Sequence, residues 1–242
     1  MEFKEDWFID WFNTPYYHAL YDYRDEREAE YFMNNLIGFL DPPKSARLLD
    51  LPCGQGRHAR FLNTMGFEVI GADISENSIR RARLFENEKL SFRRHDMREP
   101  LKGRYDLIMN LFTSFGYFEH EDVNLKVLTH FKNALRPEGR IVIDFLNLQW
   151  VRQTMVEQEQ ITKGSLEFNI RKSIEGGFIL KKIEVIDADQ RHQFIEKVQA
   201  IDHQRFLDMA DKLGLKIEHS FGDYALNPFI ENESERLILI LS

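Results

Sequence analysis

Two glycines, Gly54 and Gly56, stand in the segment Leu48-Leu49-Asp50-Leu51-Pro52-Cys53-Gly54-Gln55-Gly56-Arg57-His58-Ala59. Glycine adopts backbone dihedrals that other residues avoid, and its missing Cβ lets main chain pass close to a ligand. An apolar run precedes the pair and a helical pattern follows. The glycines therefore fall where a strand turns into a helix, whose first amides lack intrahelical partners. Asp73 ends the next apolar run, nineteen residues after Gly54. A carboxylate there can accept hydrogen bonds from both hydroxyls of a ribose. This much predicts a nucleoside-containing ligand at the carboxyl ends of parallel strands.

Two ligand classes compete. Gly54-x-Gly56-x-x-Ala59 with Asp73 satisfies the dinucleotide fingerprint formally, which implies a nicotinamide cofactor and an oxidoreductase. Three features favour S-adenosylmethionine (SAM). Asp50, four residues before Gly54, suits an ammonium or a water bound to it, whereas a carboxylate there would repel a pyrophosphate. Asp96-Met97 follows the third apolar run, where an acid can accept from an adenine amino group beside an apolar wall. A terminal antiparallel strand pair suits a different sheet from a second nucleotide-binding half.

The elements that must position these residues alternate. Apolar runs at 46–51, 67–73, 90–94, 105–111 and 140–145 read as strands, separated by helical stripes such as Val123, Val127, Phe131 and Leu135. Alternation of this kind predicts an α/β fold with a doubly wound, mostly parallel sheet covered on both faces. The first forty residues read as helices, stopped at Asp41-Pro42-Pro43. After Gly164 the pattern changes. Segments 166–173 and 178–187 meet at Glu175-Gly176-Gly177, a hairpin signal, and 191–200 continues as a third strand. Asp202 caps a helix that Gly214 ends, and strands near 215–221 and 236–241 close the chain. The expected organisation is a helical lid over 1–43, a core over 44–159, an antiparallel β insert over 160–200, and completion of the core sheet over 201–242.

The 242 residues carry a formal net charge of −8 with no Lys/Arg block, which disfavours a nucleic-acid or anionic-membrane partner. No apolar run reaches the ~18 residues of a membrane span. The acidic, aromatic start, MEFKEDWF, lacks a signal-peptide stretch, so a cytoplasmic location is expected. The single cysteine, Cys53, excludes an intrachain disulfide and a cysteine-based metal cluster, and the histidines show no metal-ligand spacing.

These segments together resemble the motifs of class I SAM-dependent methyltransferases, in particular the small-molecule, methyltransferase domain 25-like branch. LLDLPCGQGRHA resembles the glycine motif, VIGADIS the second-strand acidic motif, RRHDMREP the third, and YDLIMNLFTSFGYF the fourth. The resemblance runs from about 46 to 146 and resumes from about 202. Pro52 departs from it, standing where the first glycine of the motif is usual. It implies a seven-stranded sheet with the last strand antiparallel, SAM as methyl donor, S-adenosylhomocysteine (SAH) as product and a small-molecule acceptor. It assigns Asp50, Gly54 and Gly56 to the methionine moiety, Asp73 to the ribose, and Ile74, Asp96 and Met97 to adenine. Asn110 and Leu111 would line the sulfonium.

Phe115 and Tyr117 follow the fourth strand and form an acceptor wall or cover the sheet edge. Tyr17 falls with them on the acceptor side. Tyr21 and Arg24, in the helical region, either reach the SAM carboxylate or belong to core and solvated surface. The insert roofs the acceptor pocket or forms a homodimer contact. No residue is singled out as a general base; Tyr117, His18 and His120 are candidates by location. A SAM-binding protein without methyl transfer stays open beside the oxidoreductase reading.

Overall fold

The computed structural model describes residues 6–21 and 26–242. Three helices open the chain: α1 (Trp7–Phe12), α2 (Pro15–Leu20) and α3 (Glu26–Leu40). Then follow β1 (Arg47–Asp50), α4 (Arg57–Thr64), β2 (Glu68–Asp73), α5 (Glu76–Ala82), β3 (Leu90–Arg94), β4 (Tyr105–Asn110), α6 (Glu121–Ala134), β5 (Leu135–Leu146) and α7 (Leu148–Thr154). The insert holds β6 (Gln158–Lys163), β7 (Leu166–Glu175), β8 (Phe178–Asp187) and β9 (Gln190–Gln199). The chain closes with α8 (His203–Lys212), β10 (Ile217–Phe221) and β11 (Arg236–Leu241).

The main sheet has seven strands in the order β10-β11-β5-β4-β1-β2-β3. β11 runs antiparallel to both its neighbours, while the pairs among β1–β5 are parallel. Successive residues of a strand point to opposite faces, and both faces here are apolar. Leu48, Val69, Leu107, Val142 and Ile238 join one cluster with Phe32 and Leu36 of α3 and Leu62 of α4. Leu49, Ile70, Ile108, Ile143 and Leu239 join the other with Phe131 of α6 and Phe206 of α8. This two-sided burial explains why the central strands read as continuous apolar runs.

Three sequence expectations need revision. The sequence places α3 in the lid, but its buried Phe32, Met33, Leu36 and Ile37 pack on the main sheet beside α4. α1 and α2 are the helices of this region that bond to the insert sheet. The insert has four strands rather than three, in the order β6-β7-β8-β9, and begins at Gln158. β5 starts at Leu135, five residues earlier than the apolar run. The hairpin at Gly176-Gly177 forms with both glycines at positive φ.

The insert sheet is tied to α1 and α2. Trp11 Nε1 donates to Glu196 at 2.8 Å, and the Tyr16 hydroxyl donates to Asp187 at 3.0 Å. Phe194 packs on Trp11 in a tilted arrangement with ring centroids 4.7 Å apart. Helices and insert therefore form one wall above the carboxyl ends of β1, β2 and β4.

Candidate functional site

A cavity of about 930 Å³ opens at those strand ends. Its floor begins with the turn after β1. Gly54 and Gly56 have φ of +55° and +83°, left-handed values that glycine adopts without strain. Gly56 stands immediately before α4. A Cβ on it would lie 2.5 Å from the Phe92 ring, and one on Gly71 of β2 would lie 2.4 Å from the same ring. Both glycines thus make room for Phe92 beneath the turn. Gly54 lines the cavity, while Gly56 is in the layer below.

Asp73 ends β2 and lines the cavity. One oxygen accepts from the Gly54 amide at 2.9 Å and the other from the Ser75 amide at 2.8 Å. Burial raises its pKa, against the lowering effect of the Ser75, Gly54 and Ile74 amides. Each oxygen retains capacity for a further donor, so two vicinal hydroxyls have acceptors here. Ser75 caps α5 by accepting from the Ser78 amide, and its hydroxyl donates to Asn13 at 2.6 Å.

Asp50 is wholly buried behind the turn, and neither of its oxygens has a hydrogen-bond partner of normal geometry. Burial, and next the Asp73 charge, push its pKa up to about 8; the Ala59 amide and Arg57 offset this only in part. A buried carboxylate without a partner is costly. Asp50 does not itself line the cavity, so the residue the resemblance assigns to the methionine moiety lies one layer beneath the surface that a ligand meets. Cys53 lines the cavity, but burial pushes its thiol up, so it is held unreactive.

The third strand end is more crowded than its sequence implies. Asp96 lines the cavity, yet its carboxylate is clasped by Arg98, with Nη2 at 2.7 Å and Nε at 3.0 and 3.1 Å. Arg98 also reaches Asp6 at 2.8 Å. Burial alone would raise the Asp96 pKa, but Arg98 holds it below the usual carboxylate value. Ile74 and Met97 line the same wall. Arg98 carried no signal in the sequence, because it sits in a loop outside any periodic element.

At β4, Leu111 lines the cavity and Asn110 does not. The Asn110 amide is turned down to donate to Leu51 O at 2.9 Å, locking β4 to the glycine turn. Phe115, expected in the acceptor wall, is fully buried against Phe206 and does not line the cavity. Gly116, at φ +79°, follows it, and Tyr117 takes the wall position. Tyr117 packs on Trp7, Phe8 and Phe12 at centroid distances of 5.2, 6.1 and 5.7 Å.

Tyr17 and Tyr21 also line the cavity. The Tyr21 hydroxyl donates to Glu196 (2.7 Å) and accepts from Lys181 (2.7 Å), so it faces the insert. Arg24 lies outside the described residues. His18 lines the cavity and contacts Gln55 Nε2 at 3.2 Å, whereas His120 does not line it. Burial, then the charge of Arg81, lower the His18 pKa. Among the described residues, no group of three or more His, Cys, Asp or Glu is placed to hold a metal ion. Nor is any helix among them long and apolar enough to cross a membrane.

A seven-stranded sheet of this order, with a cavity at the parallel strand ends and acids on successive strands, defines a Rossmann-like methyltransferase fold. The sequence profile of a family described as a methyltransferase domain matches residues 23–220, and the chain belongs to that family. It is 30% identical over 152 residues to a glycine/sarcosine N-methyltransferase from Halorhodospira halochloris, covering 60% of this chain and 51% of that protein. It is 33% identical over 131 residues to a ubiquinone biosynthesis O-methyltransferase from Cereibacter sphaeroides, covering 52% of this chain and 51% of the relative. The chain thus spans about half the length of the curated relatives it matches.

Among solved structures, a SAM-dependent methyltransferase from Clostridium acetobutylicum superposes with a TM-score of 0.78 at 16% identity, over 90% of this chain and 92% of the other. A SAM-bound amino pentose methyltransferase from Micromonospora echinaspora gives 0.69 at 18% identity, over 94% and 96%. These likenesses carry the fold.

Proposed function

We propose that this chain binds SAM at the glycine turn and transfers its methyl group to a small-molecule acceptor, releasing SAH. The observation that carries this reading is the Gly54–Asp73 pair: a glycine turn open to the cavity, fixed to an acid that still has room for ribose hydroxyls. Asp50, buried beneath the turn, would act on the methionine end of the ligand through the turn or a bound water rather than by direct contact. Family membership and the small-molecule substrates named for the relatives support the same class of acceptor.

SAM supplies a methyl group on a sulfonium whose departure leaves a neutral thioether, so no acid is required. The protein's part is to align and to exclude water. Asp73 would hold the ribose, Ile74 and Met97 the adenine faces, and Asp96 its edge within the limits set by Arg98. Leu111 would face the reacting end. Tyr17 and Tyr117, with the insert above them, would shape the acceptor side and shield it from solvent. If the acceptor must lose a proton, His18 lines the cavity with a ring that its lowered pKa leaves neutral at pH 7, a property that the lining His58 and His95 share.

Calorimetric titration with SAM, SAH and NADH tests the reading. Micromolar binding of the two sulfur nucleosides and none of NADH is expected. Binding of NADH alone would replace it with the dinucleotide reading.

A further inference from the structure

The insert sheet has an open edge. Its order is β6-β7-β8-β9, and among the described residues no strand pairs with the outer side of β6. The opposite edge strand, β9, is bonded at its end instead, where the Gln199 amide donates to Gly116 O at 2.7 Å. Open edges carry unpaired backbone groups that recruit another strand, and proteins blunt them with proline, a bulge or charge of one sign. β6 (Gln158–Lys163) holds no proline and pairs with β7 without a register shift. Its two charges, Glu159 and Lys163, are of opposite sign.

The backbone phase of β6 follows from one bond. The Lys172 amide of β7 donates to Glu157 O at 2.8 Å, and these two residues continue the register in which Gln158 stands opposite Arg171. Alternate residues of an antiparallel pair turn both backbone groups toward the partner strand. Glu159, Ile161 and Lys163 therefore bond to β7, while Gln158, Gln160 and Thr162 direct their amides and carbonyls to the open edge. The side chains of Glu159, Ile161 and Lys163 share one face, and Glu159 lines the cavity. Ile161 is only half-buried, at the margin of the core.

A second copy of β6, antiparallel across a two-fold axis, matches this edge in one register. Ile161 then stands opposite Ile161 of the second copy. Gln160 and Thr162 meet Thr162 and Gln160 of the second copy, each pair exchanging two backbone bonds. Glu159 faces Lys163 of the second copy on the same side of the sheet, and the axis repeats that contact. Lys172 already holds Glu159 at 2.7 Å, and a carboxylate has room for a further donor. Sliding the second copy by two residues either way sets Ile161 against Glu159 or against Lys163 and loses the charge pairs.

We infer that β6 is a homodimer edge. Two copies of this chain join there into one continuous antiparallel sheet over both cavities, and Lys163 of each copy reaches the Glu159 that lines the other's cavity. This contact stands apart from the methyltransferase reading, which neither supports it nor depends on it.

Sedimentation equilibrium on the full chain tests it. The contact is small, so a weak, reversible dimer is expected, populated at about 100 μM and dissociating on dilution. Gln160→Pro removes an outward amide and spares the bonds to β7, and Lys163→Glu turns the attraction to Glu159 into repulsion. Each change acts twice across the axis and should weaken self-association about tenfold or more, a difference of about 1.4 kcal/mol. Circular dichroism checks that the variants fold; if Gln160→Pro does not, Lys163→Glu decides alone. A wild-type chain that stays monomeric at about 100 μM overturns the proposal. So does a dimer that the folded variants leave intact, since another surface then holds it.

Discussion

The Asp73 carboxylate accepts the Gly54 amide at 2.9 Å, so the acid at the end of β2 fixes the glycine turn at the end of β1. The two residues act as one unit. Asp73→Ala would remove the ribose acceptor and also orphan the Gly54 amide, which is held against the cavity. Affinity for SAM is expected to fall at least about tenfold, or 1.4 kcal/mol. Unchanged affinity by calorimetry would sink the ribose assignment.

Gly54 and Gly56 should fail in different ways. Nothing lies within 4 Å of the position a Cβ would take at Gly54, so Gly54→Ala meets chiefly the left-handed backbone penalty of about 1–2 kcal/mol. Its new methyl group would point into ligand space, so SAH binding should be lost from a folded protein. Gly56→Ala adds a collision with Phe92 at 2.5 Å, and its melting temperature should drop much further. Thermal melts beside SAH titrations separate the two, and the opposite ranking would show that Gly56 is not the glycine packed against Phe92.

Asp50 makes stability depend on pH. Its folded pKa of about 8 lies above the ordinary 3.8, so the folded state binds a proton that the unfolded state has released. The contribution is fully present below about pH 4 and is lost as pH rises to about 8, at up to about 1.4 kcal/mol per pH unit. Asp73, also raised, acts in the same direction. Ligand-free protein should therefore melt lower at pH 8 than at pH 6, and Asp50→Asn should flatten that slope. A wild-type slope that matched the variant's would mean that Asp50 is ionised in the folded protein.

Phe115 and Tyr117 are two residues apart and should divide core from wall. Phe115→Ala empties a fully buried position beside Phe206 and should cost about 3–5 kcal/mol. Tyr117→Ala, at the partly exposed cavity wall, should cost less than half as much. Chemical denaturation of both variants decides, and a larger loss at Tyr117 would reverse the assignment.

The central strands were legible because burial on both faces leaves continuous apolar runs such as Val69–Ala72. The site acids were legible because they end those runs. β6, with sequence QEQITK, was not: of its residues only Ile161 is apolar, and it forms by pairing with β7 rather than from its own pattern. The apolar stripe of α3 was visible, but a stripe does not name the surface that covers it. Phe115 and Tyr117 could not be told apart either, since the local backbone, with Gly116 at positive φ between them, decides which of them meets the cavity. Arg98 clasps Asp96 from two residues away in a loop, a relationship that no periodicity encodes.

The wall beyond β4 depends on a buried ion pair that no motif announced. Asp144, fully buried at the end of β5, accepts from Arg236 at 2.6 and 2.8 Å, from the Phe112 amide at 2.9 Å and from the Tyr224 hydroxyl at 3.1 Å. Phe112 and Thr113 sit at φ of +60° and +58°, values that non-glycine residues hold only when their surroundings impose them. Arg236 also donates to Thr113 Oγ1 at 3.1 Å, so one guanidinium braces both the acid and the strained turn beside Leu111. Arg236→Met would leave the Asp144 charge buried without its counterion and should lower stability by about 3–5 kcal/mol. The double variant with Asp144→Asn removes that charge and should recover part of the loss. A double variant no more stable than Arg236→Met would show that the guanidinium acts by packing alone, and that the turn is held in place by something other than Asp144.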